Sequence, residues 1–202
     1  MFAPEVLIPF SFFAFVTSIT PGPNNVMLLA SGVNFGFVRT IPHILGISLG
    51  FAFMVIVVGY GWEAILSLFP GVLDLLRYVG GAYLVYLSWK IGTAGEIRTE
   101  TGKTETPLGF WGAAAFQWAN PKAWAIIAGA VTLYIPHENY LSAIVTSALI
   151  FSLINAPCVS LWAYGGSALR QWLTQPLWRR AFNITMAVLL LASLYPLLET
   201  TP

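Results

Sequence analysis

The stretch SITPGPNNVMLLA, Ser18 to Ala30, interrupts an apolar run that begins near Val6. Pro21 and Pro23 each remove a backbone donor and break a helix already under way. Asn24 and Asn25 are costly in hydrocarbon unless something bonds them. A segment that had only to cross a bilayer would avoid both residue types. With Gly22 between the prolines, the motif reads as a deliberate break at membrane depth.

Composition supplies the bilayer. Of 202 residues, 57% are apolar and 8% are charged, where a soluble domain carries about 25% charged residues. So few charges cannot cover the surface of a soluble fold of this size. The net charge of +1 gives no footing for nucleic acid. Cys158 is the single cysteine, so no internal disulfide or dithiol pair can form. That disfavours a six-helix membrane carrier of thiol reducing equivalents, which needs two facing cysteines. The N-terminal MFAPEVLIPF lacks the basic region of a secretory signal and reads as a retained first membrane helix.

A spanning helix needs about 20 apolar residues. Six segments qualify: Val6 to Gly32, Ile41 to Trp62, Gly71 to Ile91, Phe110 to Tyr134, Tyr140 to Gly166 and Leu177 to Leu198. Arg39, Lys90, Arg98, Lys103, Arg170, Arg179 and Arg180 fall on one side if the six alternate, with Arg77 alone on the other. That side is cytoplasmic by the positive-inside rule, and both termini face outward. The stretch LRQWLTQPLWRR, Leu169 to Arg180, suits a membrane interface or an ordinary connecting loop.

The expected architecture is therefore all-α, a single membrane domain of two three-helix repeats. Residues 1–91 form the first repeat, 92–109 a polar cytoplasmic loop, and 110–202 the second repeat. Three is odd, so the repeats are inverted relative to each other. FQWANPKAW, Phe116 to Trp124, stands in the second repeat where PGPNN stands in the first. Paired breaks in corresponding positions point to a transporter's midplane site. Freed backbone groups are tolerated there only when protein or a wet cavity covers them.

TPGPNN (Thr20 to Asn25), GISLGF (Gly46 to Phe51), GGAYLVYLSWK (Gly80 to Lys90) and NPKAW (Asn120 to Trp124) together carry a family likeness. The chain resembles the lysine exporter and homoserine–threonine efflux (LysE/RhtB) family of bacterial inner-membrane proteins over nearly its whole length. The resemblance implies amino-acid efflux driven by the proton gradient. It does not specify the substrate.

Lys122 is the sharpest single residue. A lysine at helix centre costs about 2.5–3.5 kcal/mol on insertion scales. It either meets the substrate carboxylate, yields its proton in coupling, or caps carbonyls freed at the Asn120–Pro121 break. Asn24, Asn25 and Asn120 can donate and accept, which suits an amino acid's two charged groups and equally suits the broken helices' own backbone. Gln117 lies one turn before the second break. Pro21, Gly22, Pro23 and Pro121 make the breaks themselves. Asn155 and Pro157 are expected to interrupt the fifth helix, as pathway or as packed kink. Tyr83 offers a hydroxyl on the third. Asn183 and Thr185 can bond a neighbouring helix.

Asp74 and Arg77 read as a surface i,i+3 pair, and Glu63 as a similar helix-end charge. GISLG matches a nucleophile-elbow pattern by letter only, since that motif needs a strand–turn–helix context. His43 and His137 lie near opposite faces of the membrane, so no triad or metal site forms. An enzyme is not expected, nor a metal or cofactor. The spaced glycines of GVNFG and GISLG allow close helix contact, within the chain or in a homodimer. No span carries a mid-membrane aspartate or glutamate. A neutral amino acid therefore fits better than a cationic one, whose second charge would lack a buried partner. Exporter of a cationic amino acid stays as the alternative. A purely structural subunit would need neither the matched breaks nor the buried lysine.

Overall fold

The computed structural model describes residues 4–68, 71–94, 106–136 and 139–193. Most of the expected polar loop, His137 and the end of the sixth expected helix lie outside the described residues, as do the side chains of Glu63, Asp74 and Arg77. Among the described residues all regular structure is helical. The elements are α1 (Pro4–Ile19), α2 (Pro23–Phe35), α3 (Phe37–Leu68), α4 (Val72–Gly92), α5 (Phe110–Ala119), α6 (Pro121–Leu133), α7 (Tyr140–Arg170) and α8 (Pro176–Ala192).

Proline punctuates this order. Pro23, Pro121 and Pro176 each open a helix, where the missing N–H has no partner to lose. The expected first span is thus α1 and α2, bent by 51° at the Thr20–Gly22 break. The fourth is α5 and α6, divided at Asn120. Pro157 behaves differently from expectation: α7 runs unbroken through it. Its neighbours hold the helix there, with Asn155 tied to Ser48 of α3 and Val159 buried in a shared core. Packing against adjacent helices compensates for the one hydrogen bond that Pro157 removes.

Burial follows the logic of a membrane protein. Large apolar side chains such as Phe12, Phe53, Trp111, Leu153 and Leu177 are exposed, whereas Asn25, Gln117, Asn120 and Asn183 are buried. A lipid-facing surface needs no polar cover, and polar groups must find partners inside. Phe37–Gly61 of α3 and the whole of α7 are each long and apolar enough to cross a membrane, and the bent α1–α2 pair makes a third such span.

The long helices α3 and α7 pack on each other at the centre, and α4 packs on α8. One core joins α1, α3, α6 and α7 around Phe10, Met54, Ile127 and Phe151. A second joins α2, α4, α5 and α8 around Met27, Leu84, Phe116 and Leu190. At one end of the bundle, Asn34 and Asn183 exchange side-chain hydrogen bonds at 2.9 and 3.2 Å, and Asn183 also donates to Ala94 O at 3.0 Å. This ties α2, α8 and the end of α4 together. Arg170 lies beside Gly36 at the same end.

The glycine motifs serve contacts within the chain. A Cβ on Gly32 would meet the Ala163 carbonyl, and one on Gly46 the Phe110 carbonyl. Gly166 is pressed against the Leu29 carbonyl in the same way. These are backbone atoms that cannot swing aside. Gly166→Val is therefore expected to part α2 from α7 and to lower the melting temperature sharply, read as loss of the monodisperse peak in detergent on heating. Gly71, whose Cβ would meet nothing, is the control position and should tolerate Ala.

Candidate functional site

The Thr20–Gly22 break leaves the last carbonyls of α1 without helical partners, and each acquires one. Asn25 Nδ2 donates to Ser18 O (2.9 Å) and Thr20 O (2.7 Å). Trp162 Nε1, on α7, donates to Ile19 O (3.1 Å). Lys122 Nζ donates to Thr20 O (2.9 Å), Thr20 Oγ1 (3.0 Å) and Pro21 O (3.3 Å). The freed backbone is satisfied by side chains from α2, α6 and α7, as buried carbonyls require.

Lys122 thus caps a break, but the opposite one from its own. The Asn120–Pro121 break is closed locally instead: Asn120 Oδ1 accepts from Lys122 N at 3.1 Å and caps α6. The two breaks also meet through an amide pair. Asn24 Nδ2 donates to Gln117 Oε1 (2.9 Å), and Gln117 Nε2 returns a bond to Asn24 Oδ1 (3.3 Å). Gln117 anchors itself on Ala113 O at 2.9 Å.

Between the breaks lies a cavity of about 420 Å³, its solvent-open mouth included. Its polar side carries Ser18, Asn24, Asn25, Gln117, Asn120, Lys122 and Asn155. Its apolar side carries Ile47, Phe51, Ile126, Phe151 and Val159. Among the described residues no aspartate or glutamate lines it, and Lys122 is the one formally charged side chain that does. A polar wall facing an apolar one suits a small amphipathic solute.

The two half-helix N-termini at the cavity are unequal. Asn120 caps α6, whereas Gly22 precedes α2 in an extended conformation and no side chain caps that end. Uncapped N–H groups and the aligned helix dipole favour an anion. Lys122 lies close by, since a Cβ on Gly22 would come 2.8 Å from Lys122 Cδ and 3.1 Å from Nζ. Glycine at this position gives the lysine its way past the break.

The structure brings Asn24, Asn25, Gln117, Asn120, Lys122 and Asn155 to one cavity, with Gly22 at its edge. Pro21 contributes its carbonyl to Lys122, and Pro23 and Pro121 open the half-helices beside it. Tyr83 is not among the lining residues; its ring packs on Phe116 (5.7 Å between centroids) and Tyr86 (5.9 Å). Sequence reasoning gave no role to Thr17 and Ser18, which line the cavity, or to Trp162 and Ser48, which anchor the break and Asn155. A hydroxyl one turn before a proline break is the signal available for Ser18; nothing local marks Trp162.

Two helix breaks that meet around a polar cavity are the arrangement of a membrane transporter's binding site. Residues 15–193 match the model of the LysE type translocator family, and the chain belongs to that family. It is similar to the cysteine/O-acetylserine efflux protein of Escherichia coli O157:H7, 31% identical over 93% of this chain and 95% of the relative. The cysteine/O-acetylserine efflux protein of Shigella sonnei (strain Ss046) is 30% identical over 93% of this chain and 94% of its own length. No solved structure gives a significant match. The family consists of transporters rather than enzymes.

Proposed function

We propose that the protein exports a small neutral amino acid or amino-acid derivative across the bacterial inner membrane, in exchange for protons, by alternating access. The observation that carries this reading is the convergence of both breaks on one cavity where Lys122 is the sole charged side chain among the described residues. The substrate carboxylate sits between the uncapped N-terminus of α2 and the Lys122 ammonium. Asn155 Oδ1 and Ser18 Oγ, which accept no hydrogen bond from the described residues, take the substrate ammonium. The side chain lies against Ile47, Phe51 and Phe151. A cationic side chain would find no carboxylate there, and an unpaired buried charge is expensive.

The six spans of this reading are α1–α2, α3, α4, α5–α6, α7 and α8, arranged as two inverted repeats within one domain. The packing supports that symmetry, because α7 packs on both halves of the first broken span and α3 on both halves of the second. The end of the bundle that carries Arg170 faces the cytoplasm, and both termini face the periplasm. One repeat rocks against the other to expose the cavity alternately.

The test is uptake of labelled O-acetylserine, cysteine, serine and lysine into inverted membrane vesicles, with and without an imposed proton gradient. Gradient-dependent accumulation of the neutral compounds with no accumulation of lysine is expected. Transport of lysine in preference to the neutral compounds would overturn the assignment of substrate class. No transport of any of the four would overturn the exporter reading.

A further inference from the structure

Outside the cavity lining, His43 is a fully buried titratable side chain that the substrate site does not use. It is 1% exposed, and neither ring nitrogen has a hydrogen-bond partner among the described residues. A neutral imidazole carries one donor and one acceptor. Burying both unmet costs free energy that a leucine of similar size would not. The conformation shown therefore leaves His43 waiting for a partner that another conformation supplies.

Its place on α3 says where that partner comes from. Thr40, His43, Ile47 and Phe51 follow one another at helical spacing on one face. Ile47 and Phe51 line the cavity. On the other side, Thr40 Oγ1 lies 2.8 Å from Ser31 Oγ and donates to Gly36 O at 2.9 Å. Gly36 lies beside Arg170 at the basic end of the bundle. His43 thus stands one helical turn, about 5.4 Å of rise, from the cavity side and under one turn from a hydroxyl pair leading to the basic end. Gly46 and Gly50 press α3 on α5 at this level, and His43 is buried in this conformation.

The helices packed on α3 leave His43 without a competing acid. Neither α2 nor α5 carries a titratable side chain. α6 offers Lys122, held at the first break by its hydrogen bonds to Thr20 and Pro21. α7 offers Tyr140, Cys158, Tyr164 and Arg170, none of them an acid at neutral pH. On α3 itself, Arg39 lies one turn away and is exposed.

From these observations we infer that His43 is the group that carries the coupled proton, an inference that rests on the proton-driven exporter reading above. In the conformation open to the periplasm, separation of α3 from its neighbours hydrates His43, which binds a proton there. After the bundle switches, the proton leaves past Thr40 and Ser31 to the cytoplasm. The amino acid travels the other way through the neighbouring cavity. Each cycle moves a proton inward and a substrate outward, with no covalent change.

The test uses purified protein in proteoliposomes with labelled O-acetylserine as probe. Two rates are measured: exchange of labelled for unlabelled compound at equal pH on both sides, and accumulation driven by a pH difference. His43→Gln keeps a donor and an acceptor but does not titrate; His43→Asn is the second variant. At least one should exchange within about twofold of the parent protein, while its gradient-driven accumulation falls at least tenfold. The pH dependence of its exchange should flatten between pH 5.5 and 8, a change that a merely structural histidine would not produce. Parental gradient-driven accumulation in an exchanging variant overturns the inference. Loss of exchange in both variants overturns it too, since a packing role predicts that result. Failure of the exporter reading is separate: there the parent protein itself would not accumulate the probe on a gradient.

Discussion

Lys122→Met should abolish amino-acid efflux, with at least a hundredfold loss of vesicle uptake, while the protein still inserts and folds. The two halves of that expectation come from different contacts. Without the ammonium, Thr20 O keeps its 2.7 Å bond from Asn25, and Thr20 Oγ1 keeps Thr17 O at 3.3 Å. Only Pro21 O loses its sole side-chain donor, and that contact is solvent-exposed. Hydrogen bonds to charged groups are worth about 1.5–3 kcal/mol each, but the insertion cost of a lysine at helix centre, about 2.5–3.5 kcal/mol, disappears as well. The net effect on stability is small. Transport, by contrast, loses the one charged side chain that the described residues place in the cavity. Lys122→Arg sharpens the comparison. Its planar guanidinium cannot copy a compact ammonium, and Gly22 leaves no slack around Lys122 Cδ. Arginine should keep the fold and lose at least tenfold in uptake. Melting curves in detergent and uptake on the same preparations check both halves; undiminished uptake by Lys122→Met would remove the lysine from the mechanism.

The parts of this site legible in the sequence are those with a local chemical signature. Proline beside asparagine in two apolar runs marks the breaks, and a lysine halfway along a span is anomalous wherever it points. What the sequence could not supply is pairing across the chain. Lys122 reaches Thr20 and Pro21, about a hundred residues earlier, rather than the carbonyls beside it. Asn120 turns out to cap its own half-helix, and Asn24 meets Gln117. Both outcomes fit the same residue pattern, because an amide serves backbone and ligand alike. At Pro157 the local signal overstates the effect. Local rules make an internal proline an interruption, whereas α7, packed on α3, continues through it. The glycines of GISLG are equally silent about their partner until α5 is seen lying on them.

Asn25→Leu should cost the fold where Lys122→Met costs only transport. Asn25 is 3% exposed and supplies both Ser18 O and Thr20 O through one amide nitrogen. Leucine matches its volume and offers no donor. Ser18 O then has no side-chain partner at membrane depth, and Thr20 O keeps only Lys122. An orphaned buried carbonyl costs about 1–3 kcal/mol, so the loss should be about 2–4 kcal/mol, or roughly 5–15 °C in melting temperature for a domain of this size. Asn25→Asp is the stricter variant. It keeps the shape but turns an acceptor toward two carbonyl acceptors, so its protein should be no more stable than the leucine form unless Lys122 moves to meet it. Asn24→Asp provides the contrast. Gln117 Nε2 can still donate to it, and a hydrogen-bonded carboxylate at the open N-terminus of α2 is favoured by the helix dipole. That variant should melt within a few degrees of the parent, on the same scale of roughly 2–4 °C per kcal/mol, yet transport poorly, because its own carboxylate occupies the seat assigned to the substrate's. Equal melting temperatures for the Asn25→Leu and parent proteins would show that the break at Pro21 is held by something other than this amide.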